Sequence, residues 1–380
     1  MNTATEPARL DARTLNRTLL ARQLLLARAP LTAIAAVEHL VGLQAQAIEP
    51  PYLALWSRID GFQLDDLSRA LIERRVVRIA LMRSTIHLVT AGDCLALRPV
   101  LQAALERHLG ASQYGRRLKG IDGAALAAAT RALLEAEPRT TADLGQRLRR
   151  RWRGRDAEAL AYAARALVPL VQLPPRGVWR QGGPPRCATA EAWLGQPLAT
   201  DRAPDATVLR YLAAFGPASA ADVQVWSGLP PAAARDALQR LRPRLRPLRD
   251  AAGRELLDLP DAALSAPDTP APPRLLPEYD NVMLSHADRS RIVPDRHRRR
   301  IAAANGVRRT FLIDGFVAGT WTVTRPPPRA SAGAAVTLAL APFERLSRAD
   351  RAALHDEAER LLALVAAGAG RRTVRFIAPA

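Results

Sequence analysis

The sequence is poor in the residues that most often betray a chemistry. Its 380 residues include two cysteines, three methionines and a single lysine, Lys119, and aromatic side chains make up 4%. Cys94 and Cys187 cannot build a disulfide framework and lack the partners of a cysteine-rich zinc site. The histidines (39, 87, 108, 286, 297 and 355) are scattered, with no HxxxH pair. No metal and no cofactor is therefore expected. No apolar run reaches the roughly 18–20 residues of a membrane span, and the strongest candidate, Leu361 to Ala367, is short and helical in pattern. The first residues, Met1 to Arg13, contain Glu6, Pro7 and Asp11 and no apolar core of a signal peptide. The expectation is a reduced, cytoplasmic protein, monomeric and without membrane contact.

What is present is arginine. Lys+Arg total 55 against 36 Asp+Glu, a net charge of +19 and a pI near 11.4. A GC-rich genome favours arginine codons, which explains the Arg:Lys ratio but not the surplus over acids. That surplus favours a polyanionic partner. With 48% hydrophobic and 24% charged residues, the composition is globular, and the length suggests several units.

Thr14 is a plausible cap for a helix over 15–28, with Leu15, Leu19, Leu20, Leu24 and Leu26 as its apolar stripe. Thr32 caps a second helix reaching Leu43, Pro50-Pro51 opens a third, and 64–74 is a fourth. Two β-rich runs follow, Val76–Met82 and Ile86–Val89, separated by Arg83-Ser84-Thr85. Helices followed by a tight basic hairpin are the layout of a winged helix. It recurs as helices over 123–135, 141–150 and 156–168 with a hairpin over 177–186, and again as helices over 206–215, 220–227 and 231–241 with strands over 245–249 and 255–259. A proline-rich connector (262–273) leads to a hairpin around Asp314-Gly315, a strand over 335–340, a helix capped by Ser347 and a closing strand over 373–377. The fold class read from this pattern is mainly α with small β-hairpins, an α+β protein of three winged-helix units (1–115, 116–200, 201–262) and a C-terminal α+β unit (263–380).

Gln44-Ala45-Gln46 is weak as a tripeptide, since polar residues in a helix-to-helix loop usually just meet water. Its surroundings change the weighing. The stretches Leu15-Asn16-Arg17, His39 through Gln46, Leu55 through Arg58, Leu81 through Val89, Leu276 through Arg289 and Phe311 through Trp321 together resemble the winged-helix DNA glycosylases of the AlkZ-like, azinomycin-resistance type, of which the YcaQ-like proteins are a distant branch. The resemblance runs over nearly the whole chain in the expected order. It implies a C-shaped stack of three winged helices around a DNA-sized cleft, with a Q-aliphatic-Q pair as the catalytic motif, matched by Gln44 and Gln46. The distant branch has an aspartate at the second position, so Gln46 places the chain with the resistance-type enzymes.

The implied chemistry is sound. Alkylation at N7 makes guanine cationic and already a good leaving group, so little general-acid help is needed. The sugar passes through an oxocarbenium-like transition state. An amide carbonyl can hold a water below C1′ and face the developing positive charge. Two glutamines suffice for a cationic lesion and are poor tools for a normal base. The implied substrate is double-stranded DNA carrying bulky N7-alkylated purines, with interstrand crosslinks left open.

Other candidates follow from charge. Arg149, Arg150 and Arg151 cluster around Trp152, Arg180 and Arg186 bracket the Gln181-Gly182-Gly183 tip, and Arg83 sits at the first hairpin. These are candidate DNA contacts, the second hairpin being preferred as a minor-groove clamp and the first kept in reserve. Arg289 and Arg291 are candidates for phosphate binding balanced against structural pairing. His87, on an apolar strand, reads as a buried supporting residue. Asp280 and His286 read as residues that fix their loop. The rival reading is a non-catalytic winged-helix regulator, against which the glutamine pair argues.

Overall fold

The computed structural model describes residues 8–303, 306–325 and 335–378. The protein is α+β: short helices alternate with small sheets, as the sequence pattern predicts. The first helix starts earlier and ends sooner than the leucine stripe suggests, spanning Ala12–Arg22. Its cap is Asp11, whose carboxylate accepts from the Thr14 N–H at 2.7 Å. Leu24 takes a left-handed conformation (φ 57°), and the Leu25 N–H closes on the Leu20 carbonyl at 2.8 Å, which ends the helix. Thr32 caps Ala33–His39 as expected. That helix stops short of Leu43 because Val41 and Gly42 turn the chain with positive φ into a two-residue strand, Leu43–Gln44. The glutamine motif thus leaves a sheet rather than joining two helices.

That strand is the edge of a six-stranded sheet. Its order is Leu43–Gln44, Ile86–Thr90, Val76–Ala80, Leu170–Gln172, Arg186–Thr189 and Arg139–Thr140. Strand Val76–Ala80 pairs with both Ile86–Thr90 and Leu170–Gln172, so the first and second sequence units share one sheet. The expected hairpin over 177–186 is not a hairpin of paired strands. The paired strands are Leu170–Gln172 and Arg186–Thr189, and residues 173–185 form the loop between them. Helices Ala91–Val100 and Gln102–Ala111 carry the chain from the first unit to the second.

The third unit follows the sequence reading closely, with helices Asp205–Phe215, Ala220–Ser227 and Pro231–Leu241 and the strand pair Arg246–Asp250 and Glu255–Asp258. The C-terminal sheet has the order Arg274–Leu276, Thr310–Ile313, Phe316–Thr324, Ala335–Pro342, Arg371–Phe376. The last two strands are parallel, and helix Arg348–Val365, capped by Ser347, makes the crossover.

Two large cores meet near the motif. One joins Leu19 and Leu20 to Met82, Val171, Tyr211, Phe215 and Trp226. The other joins Val37, Leu43, Ala45 and Tyr52 to Phe311, Trp321, Leu340 and Leu361 of the C-terminal unit. A separate cluster holds the helices of the second unit together around Leu126, Leu144 and Leu160.

Candidate active site

Burial explains why an aliphatic residue stands between the two glutamines. Leu43 and Ala45 are fully buried in the core shared with the C-terminal unit. In extended backbone, neighbours point to opposite faces, so anchoring Leu43 and Ala45 sends Gln44 to the other side. Past the strand the Ala45 N–H still donates to the Ile86 carbonyl at 2.7 Å, and the chain then bends at Gln46, whose side chain returns to the same partner strand. Directly across the ladder from Gln44 is His87, which therefore shares its face.

Gln44 is buried, and Gln46 is exposed. The Gln44 carbonyl oxygen accepts from Arg83 Nη2 at 2.8 Å. The Gln46 carbonyl oxygen accepts from the Ile86 N–H at 2.8 Å. Each amide is thus oriented by one protein donor, and each oxygen keeps a second lone pair. His87 completes the cluster. Its Nδ1 faces the Thr85 carbonyl at 3.0 Å, and its Nε2 faces Arg83 Nη2 at 3.3 Å. A carbonyl only accepts and a guanidinium only donates, so Nδ1 carries the proton and Nε2 the lone pair. Burial, and then the Arg83 charge, push the His87 pKa down to about 3. The ring is neutral at physiological pH and serves as an acceptor, a supporting role.

The loop backbone is held by a residue that the sequence reading passed over. Arg78 is buried, and its guanidinium donates to the Ala45 carbonyl at 2.7 Å and to Gln172 Oε1 at 3.3 Å. Burial lowers its pKa to about 10, so it remains a cation at neutral pH. Room for it comes from Gly177, where a Cβ would stand 2.5 Å from Arg78 Cδ. Tyr52 ties the same loop down through the Gly177 carbonyl at 2.9 Å. A signal was present: a charged residue interrupting the apolar run Val76-Val77-Arg78-Ile79. Asn281 was also missed. Its amide donates to the Gly42 carbonyl at 3.0 Å, so the segment 276–289 supports the turn that leads into Gln44.

Within that segment Asp280 forms a two-pronged, fully buried ion pair with Arg58, both bonds 2.8 Å, and also caps helix Asn281–Leu284. His286 is buried between Ser285 Oγ (3.0 Å) and the Phe215 carbonyl (3.1 Å), and burial holds its pKa well below the ordinary value. Both fix the loop. Arg291 corrects an expectation. It is buried, donating to the Pro217 carbonyl at 3.0 Å, so its guanidinium is not presented to a phosphate. Arg289 is half-buried.

The loop tip 181–183 adjoins the motif: a Cβ on Gly182 would lie 3.9 Å from Ile48 Cδ1, two residues beyond Gln46. Gln181, Arg180 and Arg186 are exposed. Arg180 donates to the Val365 carbonyl at 2.5 Å and Arg186 to the Pro138 carbonyl at 3.0 Å. Arg149, Arg150 and Arg151 are exposed at the end of helix Thr141–Arg151, with Arg151 over the Trp152 ring at 5.0 Å. None of these five arginines has a carboxylate partner among the described residues. Arg147, one turn earlier, is paired with Asp143 at 2.9 Å. Among the described residues no group of His, Cys, Asp and Glu side chains could hold a metal ion, and no helix is long and apolar enough to cross a membrane.

The two oriented amides at the sheet edge accompany a family match. The sequence model of the family described as DNA glycosylase AlkZ-like fits residues 37–364, and the chain belongs to that family of DNA glycosylases. Among solved structures, the Streptomyces sahachiroi DNA glycosylase AlkZ is similar in fold, with a TM-score of 0.78 at 20% identity, covering 97% of this chain and 100% of that one. No curated protein matches the sequence.

Proposed function

We propose that the protein hydrolyses the N-glycosidic bond of bulky N7-alkylated purines in double-stranded DNA, as a monofunctional glycosylase acting as a monomer, with Gln44 and Gln46 as its catalytic pair. The observation that carries this reading is that both amides stand at the same sheet edge, each with its carbonyl oriented by a fixed donor of the first hairpin. The lone pair left on each oxygen can accept from a water aimed at C1′, and the amide dipoles can face the cationic sugar. No strong acid is required, because the lesion carries its own positive charge. In this reading the three helix-and-strand units act as winged helices divided near 115, 200 and 262. The exposed Gln181–Gly183 tip, flanked by Arg180 and Arg186, approaches the minor groove while the bulky adduct stays in the major groove. That arrangement avoids the tight base pocket that would exclude large adducts. Arg149, Arg150 and Arg151 contribute phosphate contacts.

The test is incubation with duplexes carrying a single N7-methylguanine or a single bulky N7-alkylguanine, scored for abasic sites. Abasic sites from both without strand cleavage support the proposal. Absence of abasic sites from the bulky-adduct duplex refutes it, and immediate strand cleavage refutes the monofunctional assignment.

A further inference from the structure

Arg83 reads in the sequence as a hairpin-tip arginine facing DNA. Its surroundings say otherwise. Arg83 and Ser84 both have left-handed backbone (φ 54° and 58°), in the turn Met82–Ser84 between the two strands of the first hairpin. This turn folds the Arg83 side chain back along the sheet face instead of outward. One guanidinium nitrogen donates to the Trp226 carbonyl of the third unit. The other donates to Gln44 Oε1 at 2.8 Å and faces His87 Nε2 at 3.3 Å. Burial lowers its pKa to about 10, and no carboxylate pairs with it among the described residues. A desolvated guanidinium without a counter-ion is costly, and its donors go to three neutral acceptors. The backbone is wedged as well: Gly228, just past helix Ala220–Ser227, has φ +79°, and a Cβ there would stand 3.0 Å from the Arg83 nitrogen.

We propose that Arg83 is a positioning residue for excision: locked by the third unit through Trp226 and Gly228, it holds the Gln44 amide in register rather than binding a DNA phosphate. The inference rests on the reading of Gln44 as half of the excision pair. It gives the third unit a role in the site that needs no contact with DNA. Arg83 fixes which end of the Gln44 amide faces the protein, and His87, neutral and accepting, completes the grip on the guanidinium without competing for the Gln44 oxygen.

The experiment compares wild type, Arg83→Met, Arg83→Lys, Gln44→Ala and the Arg83→Met/Gln44→Ala double variant. Single-turnover excision of N7-methylguanine is measured alongside duplex affinity over a range of salt, with thermal melting as the folding control. Arg83→Met is expected to slow excision roughly ten- to a hundredfold, the usual loss for a partner that orients an active group, with affinity and salt slope unchanged. Arg83→Lys is expected to recover part of the rate. In the Gln44→Ala background Arg83→Met is expected to change the residual rate less than about twofold, because a residue acting through Gln44 has nothing left to act on. Weaker affinity with a salt slope shallower by about one, at an unchanged rate, would make Arg83 a phosphate contact and overturn the inference. Additive losses in the double variant would overturn it too, leaving the excision pair intact. Wild-type excision by Gln44→Ala would remove the pair itself and the inference with it. If Arg83→Met does not fold, Gly228→Ala decides: a slower rate at unchanged affinity supports the mechanism, and a wild-type rate contradicts it.

Discussion

The sheet edge at Gln44 and the helix end at Trp152 use the same residue type in opposite ways. Around Gln44, Arg78 and Arg83 are turned inward, and their donors are consumed by carbonyls and amides of the protein. Around Trp152, Arg149, Arg150 and Arg151 stand exposed with no acidic partner among the described residues, while Arg147 is neutralised by Asp143. Composition counts all of them alike. The inner arginines fix the orientation of a polar motif in a low-dielectric setting, where a misplaced dipole loses its value. The outer ones act at long range through solvent and are screened by salt. A net charge of +19 thus includes arginines consumed inside the fold and arginines that face solvent.

The contrast can be broken most sharply at the motif. Gln44→Ala and Gln46→Ala should each lower single-turnover excision by ~10²–10³, the usual loss of one positioned polar group, while duplex affinity changes little. Gln46, exposed and held by the Ile86 N–H, tests whether the outer amide matters as much as the buried one. Equal activity of both variants to wild type would end the assignment.

The reverse pattern is expected from Arg149, Arg150 and Arg151 replaced together by Gln. If each neutralises one phosphate, log affinity against log salt should become shallower by about 2.7, with the rate at saturating protein unchanged. A slope that does not move would mean that these arginines only face solvent. Arg180→Ala with Arg186→Ala should be intermediate: excision of small and bulky N7 adducts falls by a common factor, through binding. A change confined to bulky adducts would assign that loop to lesion choice instead.

The smallest effect is on stability. Burial holds the pKa of His87 at about 3 and that of His286 well below the ordinary 6.5. Between those limits the unfolded chain binds protons that the fold refuses, so stability should fall as pH drops below about 6.5. The slope is at most ~1.4 kcal/mol per pH unit for each histidine. Denaturant melts from pH 8 to pH 5 check this. His87→Gln should flatten the slope, and an unchanged slope would mean that the ring is protonated in the fold.

Much of this was legible beforehand. The third unit's helices were read to within a residue because Ser219, Pro231 and Gly228 punctuate them. The motif was found through its neighbours in sequence. The strand that carries it was hidden, because two residues are too short for a periodic signal and because its partners, His87 and Leu88, are distant in sequence. The inward turn of Arg83 depends on positive φ at two non-glycine residues, Arg83 and Ser84, which no propensity anticipates. The stretch 177–186 reads as a hairpin because Gly182-Gly183 is a turn signal, yet the residues that pair, 170–172 with 187–189, lie outside it. Arg291 reads in the sequence like the arginines around it, and its hydrogen bond to the Pro217 carbonyl separates it from them.

The central claim is that two oriented glutamine amides excise a cationic base. The most direct measurement is single-turnover excision from a duplex carrying one bulky N7-alkylguanine, by wild type and by the Gln44→Ala/Gln46→Ala double variant, at protein concentrations that saturate both. The account predicts abasic sites from wild type and only the spontaneous rate from the double variant, with equal duplex affinity. Excision by the double variant at the wild-type rate would contradict it.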